Sequence, residues 1–260
     1  MVISIGNNKG GVGKTSVTCN LAVALARRGK KVLTVDNDPQ SNLTSILMGE
    51  IQPTTTLYEL ISPESHTRIQ DCIYPTEEPG LYCLPNIEDT AALELYLCRE
   101  AKESISIYRR KIRDFATANY DFTLIDNPPT IGLWLSISLA ASDFAIVPVD
   151  AGSVHSIEGL ERVLELINAI RVSYNPQLRF LRLLINKVDA RTLVSKRIQQ
   201  LIWTRFPDDT FVTYIPMNTV VQQAEYIGVP AIKFDPSCRA ARRYRELAAE
   251  ILTILKMEQR

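Results

Sequence analysis

The sequence lacks long apolar runs and lacks an excess of charge of either sign. A membrane-spanning helix needs about 18 to 20 consecutive apolar residues, and no run in this chain approaches that length. We therefore expect no transmembrane segment. Lysine plus arginine and aspartate plus glutamate both number 29, so any polyanion must be bound by a local patch rather than by a net field.

Cysteines are also few, and they are scattered. Their odd number, five, and the absence of C-x-x-C spacing argue against a disulfide framework or a zinc site and favour a cytoplasmic protein. The apolar start, Met1 to Gly6, has no basic leader or cleavage site, so we expect a first strand and not a signal peptide. With 46% hydrophobic and 22% charged residues, we expect one domain over residues 1–260.

Short β-branched runs alternate along the chain with longer segments of helical period. The predicted strands are Val2 to Gly6, Lys31 to Asp36, Phe122 to Asp126, Phe144 to Val149, Phe180 to Asn186 and Thr213 to Pro216. Crossover helices are predicted over Thr15 to Arg28, Ser156 to Val172 and Thr192 to Phe206. This alternation is typical of an α/β fold, doubly wound, with a mostly parallel sheet and helices on both faces.

Two segments between the predicted strands are less regular. Gln52 to Gly80 contains four prolines and is interpreted as a surface excursion with short helices. Glu88 to Ala118 is predicted to form one or two helices that return the chain to the sheet. Its apolar positions, which include Leu97 and Tyr108, are interpreted as core.

A glycine-rich loop follows the first predicted strand and opens the first predicted helix. Residues Gly6 to Thr15 read Gly-Asn-Asn-Lys-Gly-Gly-Val-Gly-Lys-Thr, which satisfies the phosphate-loop pattern G-x-x-x-x-G-K-[ST]. Glycines allow successive backbone N–H groups to point at phosphate oxygens, aided by the helix dipole. The predicted nucleotide-binding residues are Gly10, Gly11, Val12, Gly13, Lys14, Thr15 and Ser16. Lys14 is expected to bridge the β- and γ-phosphates and Thr15 to ligate Mg²⁺; the alternative is a plain strand-to-helix turn.

Lys9 separates this loop from an ordinary phosphate loop. The run Lys-Gly-Gly-Val-Gly-Lys-Thr resembles the deviant Walker A loop of the ParA/MinD family of P-loop ATPases. In that family the first lysine reaches the phosphates of the partner subunit's nucleotide, and the resemblance gives Lys9 this catalytic role. It implies ATP and Mg²⁺ as cofactors, ATP hydrolysis, and a homodimer formed with ATP. The alternative for Lys9 is a solvated loop lysine.

Two acidic segments also resemble that family. Asp36-Asn37-Asp38-Pro39-Gln40 is similar to its Asp-x-Asp-Pro-Gln segment, which implies that Asp38 orients or polarises the attacking water and that Asp36 lies near the Mg²⁺ shell. Asp36 could instead serve only to cap the next helix. Asp126 closes an apolar strand, as in a Walker B segment, and is expected to hold Mg²⁺ directly or through water.

Further along, the resemblance places an adenine pocket at Ile185 to Thr192 and Ile215 to Asn218. Asn186, Pro216 and Asn218 are the predicted base contacts, although asparagine after a strand is also a common turn residue. The resemblance extends from Val2 to about Leu255 and implies a parallel P-loop sheet.

Three branches of the family act differently: one binds DNA, one binds membranes and one, the iron proteins, passes electrons. The iron-protein branch needs a cysteine just after the Walker B segment, and residues Asn127 to Ser142 contain none. The membrane branch needs an amphipathic tail, whereas the apolar stripe of the final helix, around Arg239 to Met257, is expected to dock on the sheet. DNA binding is favoured by basic residues on two helical segments. These are Arg191, Lys196, Arg197, Arg239, Arg242 and Arg243.

Arg239, Arg242 and Arg243 share one helix face by their spacing, and such a stripe can neutralise phosphates without reading bases. The alternative is a solvated face paired with Glu246 and Glu250. The sequence thus predicts a nucleoid-associated, ParA-type positioning ATPase that binds DNA nonspecifically and responds to a ParB-like or other cargo adaptor. A membrane-associated MinD-like regulator and a metabolic P-loop enzyme remain alternatives.

Overall fold

Strands and helices alternate along the chain in a computed structural model that describes residues 1–63, 65–153 and 155–258. The strands are β1 (Val2–Ile5), β2 (Val32–Asp36), β3 (Tyr74–Pro75), β4 (Leu81–Leu84), β5 (Phe122–Asp126), β6 (Phe144–Asp150) and β7 (Arg179–Asn186). They form a sheet in the order β3-β4-β2-β5-β1-β6-β7. The neighbouring strands are parallel except β3 and β4, which are antiparallel.

The helices lie between these strands and, from Leu193 onwards, after the last one. They are α1 (Lys14–Ala26), α2 (Asn42–Met48), α3 (Leu57–Ile61), α4 (Thr90–Arg99), α5 (Ala101–Ser104), α6 (Asp114–Asn119), α7 (Leu133–Ala141), α8 (His155–Ser173), α9 (Leu193–Arg205), α10 (Thr219–Ile227), α11 (Ala231–Phe234) and α12 (Arg239–Glu258). A 3₁₀ turn covers Ile69–Cys72 and a π-helical turn covers Arg109–Arg113. No helix in the described part of the chain is long and apolar enough to cross a bilayer.

Alternating side chains of the strands enter two separate apolar cores. On β1, Val2 belongs to one core, whereas Ile3 and Ile5 belong to the other. The first core is completed by α3, α4 and α6 to α9, and the second by α1, α2, α11 and α12. Because both faces of the sheet are covered, its strands are apolar at nearly every position. The predicted doubly wound α/β fold is confirmed.

The predicted strand Thr213 to Pro216 is wrong. This segment runs beside β7 and makes a single β-bridge, between Pro216 and Val188. The amide of Ile215 donates to the Ile185 carbonyl at 2.9 Å, and the amide of Val188 donates to the Ile215 carbonyl at 3.0 Å. The pairing extends one residue further, because the amide of Met217 donates to the Val188 carbonyl at 2.9 Å, and it ends at Asn218, where the chain turns into α10.

The interpretation of Gln52 to Gly80 as a surface excursion is only partly right. Its short helix α3 begins with a capping box of Thr56 and Glu59, yet the apolar residues of α3 are fully buried. Strand β3 also lies in this segment, and its partner β4 was not predicted. Four residues beside a proline-rich stretch are too short a run to reveal a strand by periodicity.

The later helical predictions are confirmed in outline. Leu97, Ile105, Tyr108 and Ile112 are buried between the helices and the sheet, as expected for the segment that returns to β5. The apolar stripe of α12 is likewise buried, and it packs in the same core as α1. That stripe is therefore used inside the fold.

Candidate active site

The loop between β1 and α1 has a backbone that only glycine adopts easily. Gly11 and Gly13 have φ angles of 73° and 86°, in the left-handed region where a Cβ is strained. A Cβ on Gly13 would also lie 2.4 Å from Nδ2 of Asn186. The helix that follows starts at Lys14, so the loop presents a helix N-terminus, which favours anions.

A cavity of about 470 Å³ opens at this loop. It lies beside the carboxyl ends of β1, β2 and β5, the edge at which open α/β sheets bind ligands. Its lining comes from the loop, from the start of α1, from the segment after β2, and from four later residues. The lining residues are Gly10, Gly11, Gly13, Lys14, Thr15, Ser16, Asp38, Gln40, Asn42, Ser45, Ile46, Pro129, Lys187, Glu225 and Gly228.

Lys14 is the buried cation of this cavity. Its side chain is 6% exposed, and Nζ donates to the backbone carbonyl of Lys9 at 3.1 Å. Burial lowers the pKa of Lys14, while the carboxylates of Asp126 and Asp38 act in the opposite direction. A buried ammonium at a helix N-terminus suits the phosphate groups of a nucleotide.

Two buried carboxylates lie side by side next to Lys14. Asp36 and Asp126 are register partners at the ends of β2 and β5. Thr15 Oγ1 donates to Asp126 Oδ2 at 2.7 Å, and Thr18 Oγ1 donates to Oδ1 at 3.2 Å. Burial, and then the neighbouring carboxylates, raise the pKa of both aspartates well above the usual range. Two carboxylates this close together repel each other when both are ionised, and a hard cation such as Mg²⁺, which prefers oxygen ligands, would relieve that repulsion.

The segment after β2 holds both aspartates of the Asp-x-Asp motif in place. Asp36 Oδ2 accepts hydrogen bonds from the amide of Thr44 at 2.8 Å and from its hydroxyl at 2.7 Å. Asp36 therefore anchors α2, although the N-cap position of that helix is Ser41. Asp38 Oδ1 accepts from the amide of Gln40 at 2.9 Å. Asp38 lines the cavity, where it faces the space that the phosphate loop encloses.

Lys9 belongs to the loop but does not line the cavity. Its Nζ donates to Ser153 Oγ at 2.6 Å, and its amide donates to Asn7 Oδ1 at 3.0 Å. Among the described residues that line the cavity, the lysines are Lys14 and Lys187. Lys9 thus contributes its carbonyl to Lys14, while its ammonium group lies next to the end of β6.

The three predicted base contacts come together around a second cavity of about 100 Å³. Asn186 Nδ2 donates to the Val12 carbonyl at 2.7 Å, so this side chain also supports the phosphate loop. Asn218 caps α10, because Oδ1 accepts from the amide of Val220 at 2.9 Å. Ser16, Lys187 and Glu225 line both cavities, which therefore adjoin.

Sequence reasoning missed two charged residues of this site. Glu225, on α10, accepts a short hydrogen bond from Ser16 Oγ, and nothing in its local sequence distinguishes it from other surface positions. Lys187 has a φ of 56°, which is uncommon for a residue other than glycine. Its position directly after Asn186 is the one signal that pointed to it.

A basic depression lies on α12 and adjoins the smaller cavity, because Pro216 lines both. Arg239, Arg242 and Arg243 line a cavity of about 280 Å³ together with Tyr214 and Glu246. The guanidinium of Arg243 lies 4.3 Å from the centre of the Tyr214 ring and pairs with Glu246 at 2.6 Å. Arg239 and Arg242 are exposed. The three arginines therefore share one face of α12, as their spacing predicts.

The basic residues near α9 are less uniform. Arg191 makes two hydrogen bonds to the Asp189 carboxylate, at 2.9 and 2.8 Å, whereas Lys196 and Arg197 are exposed. Of the alternative pairing with Glu246 and Glu250, the structure shows the Glu246 contact, whereas Glu250 has other partners. The Glu250 carboxylate accepts from the amides of residues 212 and 213, because it caps the irregular segment beside β7.

The chain is similar to proteins of known family. A family model described as an AAA domain matches residues 1–180. The chromosome partitioning protein ParA of Caulobacter vibrioides is 32% identical over 253 residues, which cover 97% of this chain and 94% of that protein. The chromosome-partitioning ATPase Soj of Thermus thermophilus is 33% identical over 250 residues, covering 96% and 94%.

Solved structures share the same architecture. Cobyrinic acid a,c-diamide synthase from Mycobacterium smegmatis, with a bound ATP analogue and magnesium, superposes with a TM-score of 0.82 at 26% identity and covers 98% of this chain and 95% of its own. The cell division ATPase MinD of Pyrococcus furiosus superposes with a TM-score of 0.78 at 26% identity, covering 97% and 98%. The chain belongs to the ParA/MinD family of P-loop ATPases.

Proposed function

We propose that this chain is an ATP-dependent dimerisation switch that positions cargo on DNA. ATP and Mg²⁺ are its cofactors. The amides of the loop from Gly10 to Ser16, together with Lys14, hold the phosphates, and Thr15, Asp36 and Asp126 hold the metal ion. Magnesium offsets phosphate charge. Asp38, which lines the cavity, places the attacking water, since hydrolysis depends mainly on positioning and charge compensation.

The placement of Lys9 is the observation that carries the switch. A lysine that served only its own nucleotide would be expected to line its own phosphate cavity, as Lys14 does. Lys9 lies beside that cavity, against Ser153. On ATP binding we expect its ammonium to exchange the Ser153 contact for the triphosphate of a second subunit, a charge-assisted contact that is weaker with ADP, which lacks the γ-phosphate. Pairing of subunits then follows the presence of the γ-phosphate.

The adenine subsite is proposed at the smaller cavity. Pro216 and Asn218 form its wall, and Asn186 joins that wall to the phosphate loop through Val12. The connection means that the base and the phosphates are held by one continuous group of residues. Both cavities share Ser16, Lys187 and Glu225, which supports a single nucleotide spanning the two.

Nonspecific DNA binding is proposed for the basic depression on α12. Its arginines converge on one surface beside Tyr214, and Tyr214 also contacts Trp203 of α9, with ring centroids 6.4 Å apart. Lys196 lies seven residues before Trp203, on the same face of α9. The basic residues of α9 and α12 therefore flank one aromatic pair, an arrangement that suits contacts to the sugar-phosphate backbone without base reading.

Partition of a plasmid or chromosome, or positioning of a protein body, is the cellular role that follows. Relatives that match this chain over nearly their whole length are named as chromosome-partitioning proteins. This similarity supports the proposed role, and with it a ParB-like or other adaptor that stimulates hydrolysis on the nucleoid. The synthase with the same fold represents the metabolic alternative, and MinD represents the membrane-associated one.

An electrophoretic DNA-shift assay tests the proposal. The protein is mixed with duplex DNA and ATP, ADP or no nucleotide across a series of salt concentrations, and its mass is measured in parallel by light scattering. We expect a dimer and retarded DNA with ATP alone, with retardation fading as salt rises. Binding to anionic liposomes in place of DNA would favour the membrane branch, and ATP turnover by a monomer without either surface would contradict the switch.

A further inference from the structure

A group of fully buried polar side chains lies between the two loops that carry the acidic residues. Asn37, Tyr108 and Asn127 are at most 1% exposed. Asn37 separates Asp36 from Asp38, and Asn127 directly follows Asp126. Tyr108 comes from a distant part of the chain, where it precedes the π-helical turn Arg109–Arg113. We call these three residues the buried amide cluster.

Hydrogen bonds engage both ends of the side-chain amide of Asn37. Its Nδ2 donates to Asn127 Oδ1 at 2.8 Å and to the Trp134 carbonyl at 2.9 Å. Its Oδ1 accepts the hydroxyl hydrogen of Tyr108 at 2.6 Å. Four parts of the chain therefore meet at one amide, because these partners lie before the π-helical turn, after β5 and in α7.

Asn127 continues these bonds into the centre of the sheet. Its Nδ2 donates to Ser4 Oγ and to the Ile5 carbonyl, both at 3.0 Å. The backbone adds a further link, since the amide of Asn37 donates to the Asp126 carbonyl at 2.9 Å. The loop after β2 is thus tied to the loop after β5 by side chains as well as by main chain.

Filling this space with polar side chains costs more free energy than filling it with apolar ones would. Buried polar groups are costly unless every partner is present, and apolar side chains of similar size pack at lower risk. A satisfied buried network instead fixes relative geometry. A π-helical turn is rare and frequently accompanies a functional site, and here it begins just after Tyr108. Burial also raises the pKa of Tyr108 well above its usual range, so its hydroxyl stays a donor.

We propose that Tyr108 and Asn37 are positioning residues for ATP hydrolysis, in which the Tyr108 hydroxyl orients the Asn37 amide and Asn37 holds the Asp38 loop against the loop that follows Asp126. The inference rests on the proposed function, because it assumes that Asp38 places the attacking water. Neither residue lines the nucleotide cavity. Their loss therefore alters the placement of Asp38 and leaves the phosphate contacts of the glycine loop in place.

The test is Tyr108→Phe, which removes one oxygen atom and keeps the ring. We expect kcat for ATP hydrolysis to fall about fivefold to tenfold, the equivalent of one hydrogen bond, while KM for ATP stays within about twofold. The matched control is Tyr74→Phe. The Tyr74 hydroxyl accepts from the amides of Thr54 and Thr55 at the edge of the sheet, so its loss affects stability alone.

Thermal unfolding of both variants shows that they are folded at the assay temperature. Should Tyr108→Phe unfold there, Asn127→Ala carries the same test, since it removes the opposite partner of Asn37. An unchanged kcat, a parallel rise in KM, or an equal loss in Tyr74→Phe would overturn the inference. Normal turnover in Asp38→Ala would instead contradict the proposed function, whatever Tyr108→Phe does, so the two failures are distinguishable.

Discussion

The nucleotide site at the carboxyl ends of the strands and the basic surface of α9 and α12 differ in how closely the fold determines the positions of their side chains. In the nucleotide site, Lys14, Asp36 and Asp126 are buried and have identified hydrogen-bond partners. On the surface, Arg242 is exposed, whereas Arg191 is paired with a neighbouring acid. Burial makes the position of each site residue a consequence of the backbone. Exposed charges depend on whichever neighbours compete for them.

The largest effect is expected from Lys14→Ala, at the buried end of this comparison. Removing the buried ammonium group that lines the cavity takes away a preorganised charge beside the phosphates. We expect ATP hydrolysis to fall on the order of 10²- to 10³-fold and nucleotide affinity to weaken. Phosphate release and binding of a fluorescent ATP analogue measure both. A variant with near-normal turnover would remove Lys14 from the site.

Asp38→Ala should separate binding from chemistry. Asp38 lines the cavity but belongs to neither the loop nor the buried carboxylate pair, so its loss spares phosphate and metal contacts. Removal of a positioned carboxylate costs about 10²-fold in rate. We expect a dimer trapped with ATP, detected by light scattering during single-turnover hydrolysis. Rapid return to monomer after ATP addition would show that another group places the water.

Lys9→Ala should act on dimerisation more than on nucleotide binding. A charge-assisted hydrogen bond is worth about 1.5 to 3 kcal/mol, so we expect the ATP-dependent dimer to weaken by about one to two orders of magnitude. Nucleotide binding by the monomer should persist. Sedimentation with ATP and with ADP measures the difference, and the exposed Lys256→Ala serves as control. Equal dimerisation of wild type and Lys9→Ala would show that Lys9 does not contact the nucleotide of the second subunit.

The same contrast explains what the sequence revealed. The phosphate and metal site was predicted because its glycines, lysine and aspartates stand at fixed distances from apolar strands, where the backbone can adopt few conformations. The fold was predicted because the alternation of strand and helix periods is also a local pattern. Tyr108 was interpreted only as core, since its hydroxyl partner, Asn37, is 71 residues away. Glu225 and the four-residue β4 were missed because their roles depend on tertiary contacts that no local pattern encodes.

The contribution of each basic residue to DNA affinity should depend on whether an acidic side chain already pairs with it. Arg242→Ala removes an exposed cation from the depression on α12, so the slope of log affinity against log salt should decrease by about 1. Arg191→Ala removes a guanidinium already bonded twice to Asp189, and we expect a smaller change in slope. The DNA-shift assay across salt measures both slopes. Equal effects would mean that the Asp189 pair opens on DNA, as exposed pairs worth at most about 1 kcal/mol can, and that charge alone determines this surface.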